Sequence, residues 1–309
     1  MKVISEIKIN YPENRIFSVE TIFIPRINDD PQDFDTLFRI WTSIHNKQHI
    51  EIKFSSCDFL RQNAVAFLGG TISYIRSNGG KVSIDTNSLL PAIKANLEQN
   101  GFLNAMGEST LPWDGNSIPY REDRHENYQS ISQYLHEKWI GKGWLYIDPE
   151  LARVIVSNVI EIYSNAFTHA SSSNGVYSCG QNYPSLQELK ITVIDFGIGI
   201  PQSVRDYLVT NGYSSEISDE RALQIAFQEG FSTKPELGGM GLKLLKEFIQ
   251  KNQGRMDIYS HSGHAIVDSN GEKFEPIDSF FKGTVVNISL NRDQKFYYLA
   301  EKKSEQPLF

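Results

Sequence analysis

An α/β architecture in two units is predicted by three observations. Through the first hundred residues, short β-branched runs alternate with runs of helical spacing. In the second half a long amphipathic helix is followed by an apolar strand that ends in an acid and two alternate glycines. The length of 309 residues fits about two domains at roughly 150 residues each.

Lys2–Ile9 and Ser18–Ile24 are short and β-branched and read as strands. In the next segment Phe34, Leu37, Phe38, Trp41 and Ile44 fall on one side of a helix over Asp33–Lys47. His49–Phe54 alternates as a strand does. Arg61–Ser77 reads as a helix stopped by Asn78-Gly79-Gly80, and Lys81–Asp85 as a strand. Pro91–Asn100 opens with Pro in its first turn and closes at Gly101, a helix signature at both ends. The order strand–helix, three times over, suggests a sheet covered by helices.

Leu111–Tyr120 is rich in turn formers and reads as a boundary, with a linker over 111–147 that carries a helix over Glu122–Trp139. Asp148-Pro149-Glu150 starts a long helix: a capping acid, Pro at the first helical position and an acid in the positive first turn. It runs to about Ala170. Ser171–Gln187 reads as a polar loop, and Leu189–Asp195 as a strand. Leu242–Asn252 is again helical. Met256–Ser260, His264–Val267 and Thr284–Leu290 read as strands, with a tight turn at Asn270-Gly271. The last nine residues, within a tail from 295 to 309, read as frayed.

Composition narrows the function classes. Hydrophobic residues are 40% and charged residues 22%, which excludes wholesale disorder. Thirty basic against 37 acidic residues leave a net charge of −7. That balance gives no support to non-specific nucleic-acid binding. Cys57 and Cys179 cannot build a four-cysteine zinc site and are expected as free thiols in a reducing compartment. No apolar run approaches 18 residues and the first residues do not form a leader pattern, so the expected address is cytoplasmic, without a membrane role.

Three elements carry chemistry. Glu161, Asn165 and His169 lie at i, i+4 and i+8, one stripe on the 148–170 helix, with Ser157, Asn158, Ser164 and Thr168 in the same polar sector. Taken alone, the stripe also fits the solvated face of a packed helix. Asp195, with Gly197 and Gly199 after it, ends an apolar strand where the backbone can turn close to a ligand. There a carboxylate can orient an amino group; an ordinary strand-to-loop turn reads the same. Gly238, Gly239, Met240 and Gly241 lead straight into a helix at Leu242, where free N–H groups and the dipole favour an anion. A flexible loop before a helix would look alike. No Gly-Lys-Ser/Thr follows, so this is not a P-loop.

In order and spacing the three elements resemble the GHKL ATPases, the superfamily of gyrase, a heat-shock chaperone, histidine kinases and MutL. EIYSNAFTHA (161–170) is similar to the N box, DFGIGIP (195–201) to the first glycine box, GFSTKPELGGMGL (230–242) to the F box and second glycine box, and Gly283-Thr284 to the terminal Gly-Thr element. The resemblance covers about residues 148–291. It implies a Bergerat-type mixed sheet with helices on one face over 148–294, binding ATP and Mg²⁺ between helices and a lid formed by about 202–237. On the matching positions, Asp195 would hydrogen-bond the adenine amino group, with Gly197, Gly199, Ile200 and Thr284 around the base. Asn165 would coordinate Mg²⁺, and Gly238, Gly239, Met240, Gly241 and Leu242 would wrap the phosphates. Glu161 would be the general base, with Lys234 and His169 near phosphate or lid.

Residues 33–103 resemble a STAS-type domain, the fold of anti-sigma-factor antagonists, through IEIKFSSCDFLRQNAVAFLGG, NGGKVSID and IKANLEQNGF. The family's phosphorylatable Ser is replaced by Arg61-Gln62-Asn63. A STAS-like unit over 1–110 implies a protein partner. No helix pair with a phosphoacceptor precedes the ATPase-like half; His125-Glu126 is a weak counterpart. The expected function is an ATP-binding protein with slow Mg²⁺-dependent hydrolysis driving a lid-based switch. The alternatives are a serine or histidine protein kinase and a non-hydrolysing nucleotide sensor. Lid-exchanging homodimers are common in the resembled superfamily.

Overall fold

The structure is a computed structural model that describes residues 19–169, 174–228 and 241–299. The strand read at Lys2–Ile9 and the last nine residues lie outside these.

The amino-terminal strands are β1 (Glu20–Phe23), β2 (His49–Lys53) and β3 (Lys81–Ile84), which form a three-stranded parallel sheet in that order. Helix α1 (Pro31–Ile44) buries the stripe Phe34, Leu37, Phe38, Trp41 and Ile44 and leaves its other face outward. Helix α2 (Gln62–Ser77) behaves differently. Every residue from Gln62 to Ser73 is buried. A helix apolar all round must be covered on all sides, and α2 lies between the parallel sheet and a second one. A Cβ on Gly69 would collide with Tyr120, and one on Gly70 with Phe196 and Tyr177. The two glycines thus let α2 lie flush on the second sheet. Helices α3 (Pro91–Gln99) and α4 (Phe102–Met106) follow.

The second sheet has the order β4-β5-β6-β8-β7. Its strands are β4 (Ser117–Asp123), β5 (Val176–Tyr183), β6 (Glu188–Asp195), β7 (Arg255–Asp268) and β8 (Gly271–Asn291). Every pairing is antiparallel, so the expectation of a mixed sheet is corrected. Its neighbours in the chain are joined by hairpins and returns, which need no parallel crossover. Two further corrections concern strands. The 111–147 stretch, expected as a linker, contributes edge strand β4 before helix α5 (Tyr128–Tyr134), and the polar loop expected over 171–187 contains β5.

Helices α6 (Pro149–His169) and α9 (Gly241–Asn252) cover one face of this sheet. Asp148 caps α6 by accepting from the Glu150 and Leu151 N–H groups at 2.9 and 3.3 Å. Leu189, Ile191 and Val193 of β6 pack under these helices, while Ile194 turns to the α1–α2 side. The sheet therefore carries helices on both faces, not one. The alternation of a strand explains how: adjacent residues feed two cores. The result is four layers, parallel sheet, α1 with α2, antiparallel sheet, α6 with α9.

Polar groups fix the register between α2 and the sheet. The buried Gln62 amide donates to Thr192 Oγ1 and Asn287 Oδ1 at 3.3 and 3.2 Å, and accepts from the Tyr183 hydroxyl at 2.9 Å. Lys190 pairs with Asp29 at 2.6 Å and Glu188 at 3.1 Å. After β8 the chain returns to pair with the start of α6: the Asp148 N–H donates to the Tyr297 carbonyl at 2.8 Å. Residues 295–299, expected as the start of a tail, are anchored there. Cys57 and Cys179 are both buried free thiols, as expected from their number.

Candidate nucleotide site

Asp195 ends β6 with its side chain 7% exposed. Oδ1 accepts from the Gly197 N–H at 2.8 Å, closing a tight turn around Phe196. Burial pushes the carboxyl up to about 7; hydrogen bonds from Gly197 and Thr284 act in the other direction. Thr284 stands directly across from Asp195 in the β6–β8 ladder, and Ser260 across from Thr284 in the β7–β8 ladder. The Ser260 hydroxyl donates to the Gly283 carbonyl at 2.9 Å and accepts from the Ile200 N–H at 3.0 Å. Gly283 passes so close to the Asp195 carbonyl that a Cβ would have no room.

The loop after Asp195 enters helix α7 (Ile200–Thr210) through Gly199, which has φ +78° and lies against the His261 ring and the Lys282 carbonyl. A side chain there would be both strained and obstructed. His261, itself at φ +54° beside a bulge in β7, donates from Nε2 to the Ile198 carbonyl at 2.7 Å. Burial holds its pKa below the usual value. Its Nδ1 is 3.7 Å from Asp219, the first residue of helix α8 (Asp219–Ala226). Asp219 also accepts from Arg205 at 2.7 Å and from the Ser262 N–H at 3.0 Å. Within residues 202–228, expected as part of a lid, α7 and α8 are tied to one another and α8 to β7.

On α6, Glu161 is half-buried and Asn165 exposed. Of the polar sector read with them, Asn158 is an exception. It is buried, donates to the Val154 carbonyl at 2.8 Å and accepts from the Leu245 N–H at 3.1 Å. Ser164 accepts from the Tyr128 hydroxyl at 3.0 Å. Asn165 follows Asn158 by seven residues, a net rotation of about 20°, so it lies on the side of α6 that faces α9. Gly241 and Leu242 open α9. Lys234, Gly238, Gly239 and Met240 lie outside the described residues, as does the His169 side chain.

The structure thus brings Asp195, Gly197, Gly199, Ile200 and Thr284 together at one end of the sheet. Sequence reasoning missed Ser260, His261, Asp219 and Arg205, which hold that loop. Ser260 and His261 sit in an ordinary strand pattern, and only the bulge aims them. Residues 148–294 match the family model of histidine kinase-, DNA gyrase B-, and HSP90-like ATPases. The chain carries a GHKL-type ATPase domain. The match begins at the Asp148 cap of α6 and ends just after β8, so β4, α1 and α2 are outside it while packing on its sheet. No curated protein matches the chain. Among the described residues no helix is long and apolar enough to cross a membrane.

GHKL domains bind ATP, usually with Mg²⁺. Among the described residues no three His, Cys, Asp or Glu side chains gather as ligands. Asn165 offers one exposed amide oxygen, with the Glu161 carboxylate one turn away. That donor set fits a magnesium that takes its other ligands from nucleotide phosphates and water.

Proposed function

We propose that the GHKL domain binds ATP with Mg²⁺ and hydrolyses it slowly, and that the nucleotide state alters the fold's outer surfaces. The observation that carries this reading is the buried Asp195 carboxylate at the mouth of a turn closed by glycines. Gly197 and Thr284 donate to this carboxylate, its remaining lone pairs can take a further donor, and the adenine amino group is the donor this domain type takes. Gly197, Gly199, Ile200 and Thr284 frame the base, and Asn165 holds the Mg²⁺. A magnesium held there would supply positive charge against the phosphates. Gly238 to Leu242, with the α9 N-terminus, meet the phosphates, and Lys234 and His169 serve the phosphate end. Glu161 orients and deprotonates the attacking water.

The amino-terminal unit, read as STAS-like over 1–110, is the side offered to a protein partner. The parallel sheet turns Thr21, Phe23, Lys81 and Ser83 outward. Transfer of the phosphoryl group to a protein, in the manner of a serine or histidine kinase, is the second reading, supported by the F-box-like Ser232-Thr233-Lys234-Pro235 and the STAS-like half of the sequence.

The test uses γ-labelled ATP, Mg²⁺ and the purified full chain, following free phosphate and labelled protein together. Phosphate release that disappears in Glu161→Ala, with ATP still bound, is expected. Full turnover in that variant would overturn the role of Glu161. Label on the protein would establish the kinase instead.

A further inference from the structure

The turn that carries Asp195 has little stiffness of its own. It runs Asp195-Phe196-Gly197-Ile198-Gly199, and two of its five residues are glycines, which lose most freedom when fixed. Beyond the pairing of Asp195 with Thr284, three tethers hold it. His261 takes the Ile198 carbonyl and Ser260 the Ile200 N–H, both from β7. The third is the Phe196 side chain, the one residue inside the hydrogen-bonded turn from the Asp195 carboxylate to the Gly197 N–H.

Phe196 points away from the α6 face and is 4% exposed. Its ring meets Trp41 of α1 at 4.9 Å between centroids, and Phe67 and Tyr74 of α2 at 5.9 and 6.2 Å. From the sheet itself Tyr177 and Phe281 stand edge-on at 5.7 and 5.3 Å. The α2 backbone at Gly70 lies directly on the ring. Aromatic packing of this kind is directional and close, so a ring held on five sides has one position. Moving it would turn the peptide planes on either side, one of which carries the Gly197 N–H that orients the Asp195 carboxylate.

We propose that Phe196 is a positioning residue of the base pocket, and that helices α1 and α2, outside the ATPase domain, hold the Asp195–Gly197 turn through it. The inference rests on the reading of Asp195 as the acceptor for the adenine amino group. It makes the amino-terminal half part of the frame of the nucleotide site. A partner that shifts α1 or α2 would change nucleotide affinity without touching the nucleotide.

The test compares wild type, Phe196→Leu and Gly70→Ala as full chains. Gly70→Ala leaves Phe196 in place and pushes it from the α2 side, so it carries the test if Phe196→Leu does not fold. Affinities for ATP and inosine triphosphate, which has a carbonyl in place of the amino group, are measured by competition with a fluorescent ATP analogue. A site built to receive an N–H rejects the analogue that lacks it. In both variants the ATP Kd is expected to rise about tenfold while the inosine triphosphate Kd changes less than about twofold, so that discrimination collapses. Unchanged ATP affinity in both variants would overturn the proposal. Equal weakening of both nucleotides, with discrimination kept, would also overturn it by showing general loosening. Failure of the wild type to bind ATP at all would instead overturn the proposed function, and this inference with it.

Discussion

Asp195 is withdrawn from water before any ligand arrives, and this has two consequences of opposite sign. An ionised carboxylate accepts from an amino group, whereas the neutral acid is a poor acceptor. With the carboxyl pushed up to about 7, ATP affinity should rise with pH, by about tenfold per unit below 7, and level off above it. Stability runs the other way. The folded carboxyl keeps a proton at pH values where the unfolded one, with its ordinary value of 3.8, has lost it. Folding is therefore favoured most below about pH 4 and loses stability as pH rises to about 7, after which the term is constant. Asp195→Asn keeps the shape and can still accept from Gly197, but carries no charge. It should melt above wild type at pH 8, converge with it near pH 4, and bind ATP weakly with no pH dependence. Thermal melts at the two pH values and nucleotide titrations check both halves. A variant that binds ATP as wild type does would refute the adenine assignment.

At the scale of elements, one amide ties α9 to α6 beside their shared apolar core. The Leu245 N–H donates to Asn158 Oδ1 in a buried contact. Asn158→Ala leaves that N–H without this acceptor, at a cost of about 1–3 kcal/mol. The melting temperature should fall accordingly, and the α9 N-terminus should shift from its place beside α6. A melt unchanged from wild type would show that the first turn of α9 is held by other contacts. The helix spacing that placed Glu161 and Asn165 together was legible in the sequence, and so were the Asp148 cap and the turn at Asn270-Gly271. The burial of Asn158 was not, because periodicity describes a helix before anything docks on it. β5 was missed for a related reason. Val176–Tyr183 mixes small, polar and apolar residues with no clean alternation, and becomes a strand because β4 and β6 flank it on both sides. The all-round burial of α2 left a trace in AVAFLGG, but the strands that cover its second side lie from about fifty to more than a hundred residues further on.

For the whole molecule, the boundary of the matched family is not a boundary of packing. Tyr177, Phe196, Tyr259, Phe281 and Val285 belong to the ATPase domain and sit in the core built with α1 and α2. Phe34 stacks on Tyr259 at 4.3 Å and Phe38 on Phe281 at 5.1 Å. Residues 148–294 expressed alone would expose that face and lack edge strand β4. They should aggregate or lack a cooperative melt, whereas the full chain melts cooperatively. A sharp transition from the isolated segment would contradict the four-layer account.

The layering also sets a timetable for the newborn chain. Helix α2 leaves the ribosome when most of the sheet that will cover it has not been translated. At about 5–20 residues per second, the wait from Ser77 to the end of β8 is roughly ten to forty seconds. For that interval a helix with no water-facing side needs shelter from chaperones or from a provisional collapse. β8, the last strand among the described residues, supplies Val285 and Asn287 to the underside of α1 and α2. A premature stop before β8 would therefore be felt first at the opposite end of the polypeptide, where α1 and α2 would have lost the wall they were shaped to meet.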